Sequence, residues 1–234
     1  MSTTTTPTAV AAPPPPQGPR RGNLLWTGIV AGPLFLAVAL LAGAVRSDGY
    51  DPLRHPVSSL GIGPHGWIQI ANFLVAGVLT LVFAFSLRAH LKASGRGSLL
   101  GPLFLGVWAV GLMGAGIFVG DPISGYPAGT PDTGIHTWHG QFHDVPFSTA
   151  GFLSMLATFL VFGRRFSSRR HYGWASYSGL TAIGFTIGLV MSTTGFEQGE
   201  LVAVAGLLQR ATVAIGLIWL TALAVHMRRT SLAG

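Results

Sequence analysis

Six windows of about 20 apolar residues, separated by short polar or Gly- and Pro-rich links, leave this chain few folds to choose from. They cover residues 24–45, 66–87, 99–120, 145–163, 174–195 and 203–227. At about 1.5 Å per residue each can cross roughly 30 Å of hydrocarbon. That layer holds no water to satisfy backbone N–H and C=O groups, so a lone spanning segment must be helical, and none shows the alternation of a barrel strand. The expected fold is an all-α integral membrane protein, a six-transmembrane-helix bundle. With 49% hydrophobic and only 9% charged residues, 234 residues are too apolar for an ordinary soluble domain.

Charge orients the bundle. Arg20 and Arg21 precede the first window, Arg88, Lys92 and Arg96 fill the second connection, Arg164, Arg165, Arg169 and Arg170 fill the fourth, and Arg228 and Arg229 follow the last. The positive-inside rule then makes both termini cytoplasmic, in an inner or plasma membrane. All seven acidic residues, Asp48, Asp51, Asp121, Asp132, Asp144, Glu197 and Glu200, fall toward the other side. The net charge of +7 sits in clusters between apolar runs, which argues against a nucleic-acid partner and for membrane lipids. Absence of cysteine excludes disulfides, thiolate chemistry and cysteine metal sites.

Residues 1–23, with TTTT and PPPP tracts, read as a disordered, partly polyproline cytoplasmic tail, and 229–234 as a short second one. An AGA run at 42–44 imitates a signal-peptidase site, but the apolar run before it exceeds a signal's usual 7 to 15 residues, so a retained anchor is expected.

Two outward connections are long, residues 46–65 and 121–144. Both are rich in Pro, Gly and aromatics that fix turns, and loops of such length in a compact bundle commonly carry function. Each contains Asp-Pro followed by Leu or Ile, at Asp51 and Asp121, a hint of hairpin duplication. The run GYDPLRHPVSSLGIGPHGWIQIANF, with HGxxH before the fourth window, resembles the bacterial membrane-protein family known as domain of unknown function 998. The resemblance spans roughly residues 24–228 and implies a six-span membrane protein without a settled activity.

The densest polar stretch is HTWHGQFHDVPF, residues 136–147. Its His139 and His143 are spaced i, i+4, which on one helical face puts two imidazoles about 6 Å apart. With His55 as third ligand they would hold zinc, and Asp51, Asp121 or Asp144 as base with Ser58 as polar partner would complete a metal-dependent membrane hydrolase. The stretch lacks the Glu of HExxH, and this inventory only superficially matches seven-span ceramidase-type hydrolases. A second reading rests on Arg210, about seven residues inside the sixth window, where an arginine demands a partner. With Gln69, Asn72 and Arg54 it would form a cationic pocket for an anionic lipid headgroup or small anion; alternatively it pairs with Asp121 or Asp144 and only ties helices together.

Other classes fall away. All eight histidines lie near span ends or in loops, which disfavours a bundle haem, and apart from Arg210 the spans lack the mid-membrane charges and broken helices of transporters. Gly111, Gly114, Gly116, Gly120, Gly184 and Gly188 read as close-packing positions, with homo-oligomer contacts as the lesser alternative. The six tryptophans read mostly as interfacial anchors, and Pro146 as a first-turn proline.

Overall fold

The computed structural model describes residues 24–95, 97–131, 135–197 and 199–232, so the N-terminal tail, Arg96 and Asp132 lie outside the described residues. Six helices are long and apolar enough to cross a membrane. Helices α1 (Trp26–Val45), α2 (Gly66–Ala93) and α3 (Leu100–Ile117) are followed by a fourth span made of a short α4 (Trp138–Phe142), a π-helical segment (His143–Thr149) and α5 (Ala150–Ser168). Helices α6 (Tyr172–Glu197) and α7 (Ala205–Leu232) complete the bundle. Several helices outrun their apolar windows. Helix α2 continues through His90 and Lys92, because a cation in the last turn is favoured by the helix dipole and its stem can lie along apolar surface.

The helices form a closed ring. Each packs on the next, α3 on α5, and α7 returns to α1. Glycines bring the backbones close at several seams. A Cβ on Gly28 would meet Ala224 of α7 at 2.9 Å, one on Gly77 the Ala109 carbonyl of α3 at 2.8 Å, and one on Gly111 the Phe147 carbonyl at 2.7 Å. Gly188 of α6 is filled in the same way by Thr212 of α7, at 2.2 Å. Without a hydrophobic drive between helices in lipid, such close backbone approach is what gains dispersion contact. Gly111, Gly114, Gly116 and Gly188 are therefore consumed within the chain.

Aromatic rings fill the middle of the ring toward the end where the arginine-rich connections lie. Phe159 packs edge-on against Trp219 at 4.9 Å and against Phe185 at 5.2 Å, all fully buried. Two tryptophans thus depart from the interfacial expectation. Trp219 is buried with its indole donating to Ser178 Oγ at 3.1 Å, and Trp108 is 4% exposed, whereas Trp26, Trp67 and Trp138 are exposed.

Pro146 also departs from expectation. It sits eight residues into the fourth span, within the π-helical segment, not in the first turn. A proline there removes an N–H and crowds the preceding turn; widening that turn accommodates both, and π segments often mark functional positions. The widened turn directly precedes α5 and packs against α3.

Candidate functional site

The connections 46–65 and 118–137 meet at one end of the ring, and three arginines hold them there. Arg46 Nε donates to Asp48 at 3.0 Å, and its terminal nitrogens donate to the carbonyls of Leu60 and Ile62 and to the Tyr126 hydroxyl. Tyr126 in turn donates to Asp48 at 2.8 Å. Arg54 Nε donates to the Ser124 carbonyl at 2.8 Å. Arg210, reaching up from α7, donates to the carbonyls of Pro52, His55 and Gly206 and to the Tyr50 hydroxyl. Burial pushes the Tyr50 phenol up to about 12 despite Arg210 beside it, so it stays neutral, accepting from the guanidinium and donating to the Pro56 carbonyl at 3.0 Å. Burial also raises the Asp48 carboxyl, but the Arg46 and Tyr126 hydrogen bonds outweigh it and hold Asp48 below the usual carboxylate range.

His55 lies at the centre of this cap, 4% exposed, with Tyr50 and Tyr126 packed around its ring. Its Nδ1 accepts from the Asp51 N–H at 2.8 Å and its Nε2 donates to the Ser124 carbonyl at 3.2 Å. Burial holds its imidazole below the ordinary histidine value of 6.5, the Ser124 carbonyl and Asp51 offsetting only part. The fold therefore favours neutral His55. Its contribution is fully present above 6.5 and is lost as pH falls from there through the lower folded value. The Tm of the detergent-solubilised protein is expected to fall over that window, and His55→Gln, although less stable throughout, to show a flatter profile there. Asp48 acts separately: its lowered value confines the loss of its ion pair to pH below about 4.

Below the cap, the ring's centre is open. A cavity of about 570 Å³ runs from buried Phe35, Phe73 and Leu112 up to a rim bearing Asp121, His136, His143 and Asp144. On the α5–α6 side its wall includes Leu153 and Val190, which are 56% and 55% exposed on the bundle's outer surface. Polar atoms along the wall come from Ser58, Ser192, Thr193 and Gln209, although Gln209 Oε1 is already engaged by the Val57 N–H at 2.8 Å.

The rim is built by the fourth span. Asp121 accepts from both the N–H and the hydroxyl of Thr137, each at 2.6 Å, while the Thr137 hydroxyl accepts from the Gly140 N–H at 3.2 Å and caps α4. Asp121 is so close over this turn that a Cβ on Gly140 would lie 2.0 Å from its Oδ2. His143 is buried with Nδ1 donating to the Phe118 carbonyl at 2.7 Å and its Nε2 edge beside Gly120 on the cavity wall. His139, one position into α4, is exposed and lies against Trp138 with ring centroids 3.5 Å apart.

The proposed ligand set is accordingly divided. Both ring nitrogens of His55 are spent inside the cap, His139 is exposed, and His143 is buried against the cavity wall. Among the described residues no three His, Asp or Glu gather to hold a metal. Asp51 serves the cap, its Oδ1 accepting from the Leu53 N–H at 2.8 Å, whereas Asp121 and Asp144 stand at the rim. Arg54 and Arg210 are absorbed by loop carbonyls, and Arg210 is satisfied without Asp121 or Asp144. Gln69 and Asn72 do meet, Asn72 Nδ2 donating to Gln69 Oε1 at 3.3 Å and to the Phe35 carbonyl at 3.1 Å, deep between α1 and α2. Gln69 Nε2 is buried without a partner among the described residues.

The sequence reading missed Arg46, Tyr50, Ser124 and Tyr126. A signal existed: Gly-Tyr stands in both long connections, at Gly49-Tyr50 and Gly125-Tyr126, and those tyrosines pack together at 5.3 Å. No curated protein and no solved structure matches the chain. A family match does exist, to Protein of unknown function (DUF998), over residues 29–226, which takes in all six spans, the cap and the rim. The membrane bundle described above is thus that of a DUF998 protein, and the chain belongs to this family.

Proposed function

We propose that the protein binds a single amphipathic, lipid-like molecule in the central cavity, in an inner or plasma membrane with the capped end outside and both termini cytoplasmic. The observation that carries the reading is the cavity's continuity. It runs from the buried apolar centre to exposed, lipid-facing Leu153 and Val190 between α5 and α6, while its other end meets a polar rim. A volume of about 570 Å³ is ordinary for a small-molecule pocket, and an apolar wall with a few convergent polar groups is the usual composition. The ligand's apolar part would lie among Phe35, Phe73, Leu112 and Val213, its headgroup against Asp121, His136, His143 and Asp144.

The rim's chemistry selects the headgroup. Carboxylates and imidazoles face the cavity, while the guanidinium groups of Arg54 and Arg210 serve the cap, which favours a cationic or hydrogen-bond-donating head, such as an amine, over an anionic one. Solvent extraction of the protein purified in mild detergent, followed by mass spectrometry, is expected to recover an amphiphile in near-stoichiometric amount. Val213→Phe, which fills the cavity, should lower its recovery roughly tenfold, equivalent to about 1.4 kcal/mol of binding. Equal recovery from both proteins would sink the reading.

A further inference from the structure

The same α5–α6 seam opens a second time, at the arginine-rich end. A surface groove of about 430 Å³ lies between the two helices there, bounded by Gly163, Arg164 and Ser167 on α5 and by Tyr172, Ser176 and Gly179 on α6. Small side chains make it. Gly163 lets Ser178 approach, a Cβ there lying 3.3 Å from the Ser178 Cβ, and Gly179 faces open space, with nothing within 4 Å of a Cβ built on it. Exposed Leu160, Leu180 and Ile183 continue the surface toward mid-span as an apolar track.

The groove's polar head is unusual for a span. Arg164 is exposed and makes no hydrogen bond or ion pair among the described residues, and Ser167, Tyr172 and Ser176 are exposed beside it. Arg169 and Arg170 follow within two turns, and the chain's acidic residues fall toward the other end in the sequence. An unpaired guanidinium at the hydrocarbon boundary gains most from a bidentate anionic partner, and planar guanidinium groups match phosphate oxygens well. Basic recesses between helices on the positively charged side are suited to anionic headgroups.

We infer that this groove is a binding site for an anionic glycerophospholipid, its phosphate held by Arg164 with hydroxyls from Ser167, Tyr172 and Ser176 and its acyl chains laid along Leu160, Leu180 and Ile183. The site is separate from the central cavity and takes the opposite headgroup charge. The anionic-lipid chemistry expected of this chain thus moves from the capped end to the basic one.

Native mass spectrometry of the full chain, released from nanodiscs of mixed phosphatidylglycerol and phosphatidylcholine, tests this. The wild type is expected to retain phosphatidylglycerol several-fold over phosphatidylcholine. Arg164→Gln and Gly179→Trp should each abolish that preference, the second by filling the groove without touching a charge. Arg88→Gln, a basic change on α2, should leave it intact, and millimolar inorganic phosphate should not displace the lipid. Because Gly179 faces open space, its variant is expected to fold, as a wild-type Tm would verify. Retained preference in both groove variants, or equal loss in Arg88→Gln, overturns the site and leaves only general surface charge. Loss of the cavity amphiphile in Val213→Phe with the phosphatidylglycerol preference unchanged would show that the two sites stand independently.

Discussion

Arg210→Met is expected to lower the stability of the detergent-solubilised protein by about 3 kcal/mol and to loosen the cap on the ring. The side chain donates to three carbonyls and one phenol, and three of those acceptors, on Pro52, His55 and Tyr50, belong to the loop, which α7 holds otherwise only by single hydrogen bonds at Leu207 and Gln209 among the described residues. Hydrogen bonds to a charged donor contribute about 1.5–3 kcal/mol each, but the half-buried site admits water when the guanidinium leaves, so the individual values do not add. Lysine should rescue little, because a single ammonium cannot reach acceptors arranged around a planar fork. Tyr50→Phe removes one acceptor and keeps the ring packing against Tyr126, so it should cost only about 1 kcal/mol. Hydrogen exchange distinguishes cap loosening from general weakening. Amides of residues 53–62 should lose protection in Arg210→Met while those of the ring's aromatic centre do not, and uniform loss would contradict the cap's dependence on Arg210.

The second large effect is expected at Gly114. A Cβ there would lie 1.9 Å from Phe147 Cδ1, and the phenyl ring cannot retreat: it stacks on Phe118 at 5.3 Å and 14°, while its own carbonyl presses on Gly111. Gly114→Ala should therefore cost about 1–3 kcal/mol, the usual range for overpacking, and reduce cavity occupancy because Phe147 lines the wall. Phe147→Leu in the same chain should recover part of the loss, and a thermal-unfolding double-mutant cycle would measure the coupling. If Gly114→Ala unfolds like the wild type, the π segment is not seated on α3 as described.

Much of this was legible beforehand because the bilayer forbids alternatives. Backbone satisfaction compels helices wherever 20 apolar residues run together, so six spans and the pairing of their ends follow from residue type alone. The rim was partly legible too, since His136, His143 and Asp144 all lie in the one polar stretch that abuts a span. What spacing could not show was that His143 would be buried with its Nδ1 on the Phe118 carbonyl while His139, one turn earlier, stays exposed against Trp138, because an i, i+4 pattern says nothing of what each ring meets. Nor could it show Arg210's partners. A buried cation suggests an acid, yet here backbone carbonyls of a turn-rich loop do the work, and carbonyls carry no sequence signature. Trp108 and Trp219 read as anchors only so long as their positions along the helices outweighed the unknown direction in which each side chain points.

Ring closure between α7 and α1 has a bearing on biogenesis. During synthesis the first helix made must wait for the last before that seam can form, and domains generally assemble from the N-terminus as the chain emerges. Until α7 arrives, the loop carbonyls of Pro52 and His55 lack their donor, and α7 itself enters the bilayer carrying an uncompensated arginine. Insertion of the final span and completion of the cap are thus one event: a chain stopped after α6 would hold five helices in the membrane and have neither a closed cavity nor a finished mouth.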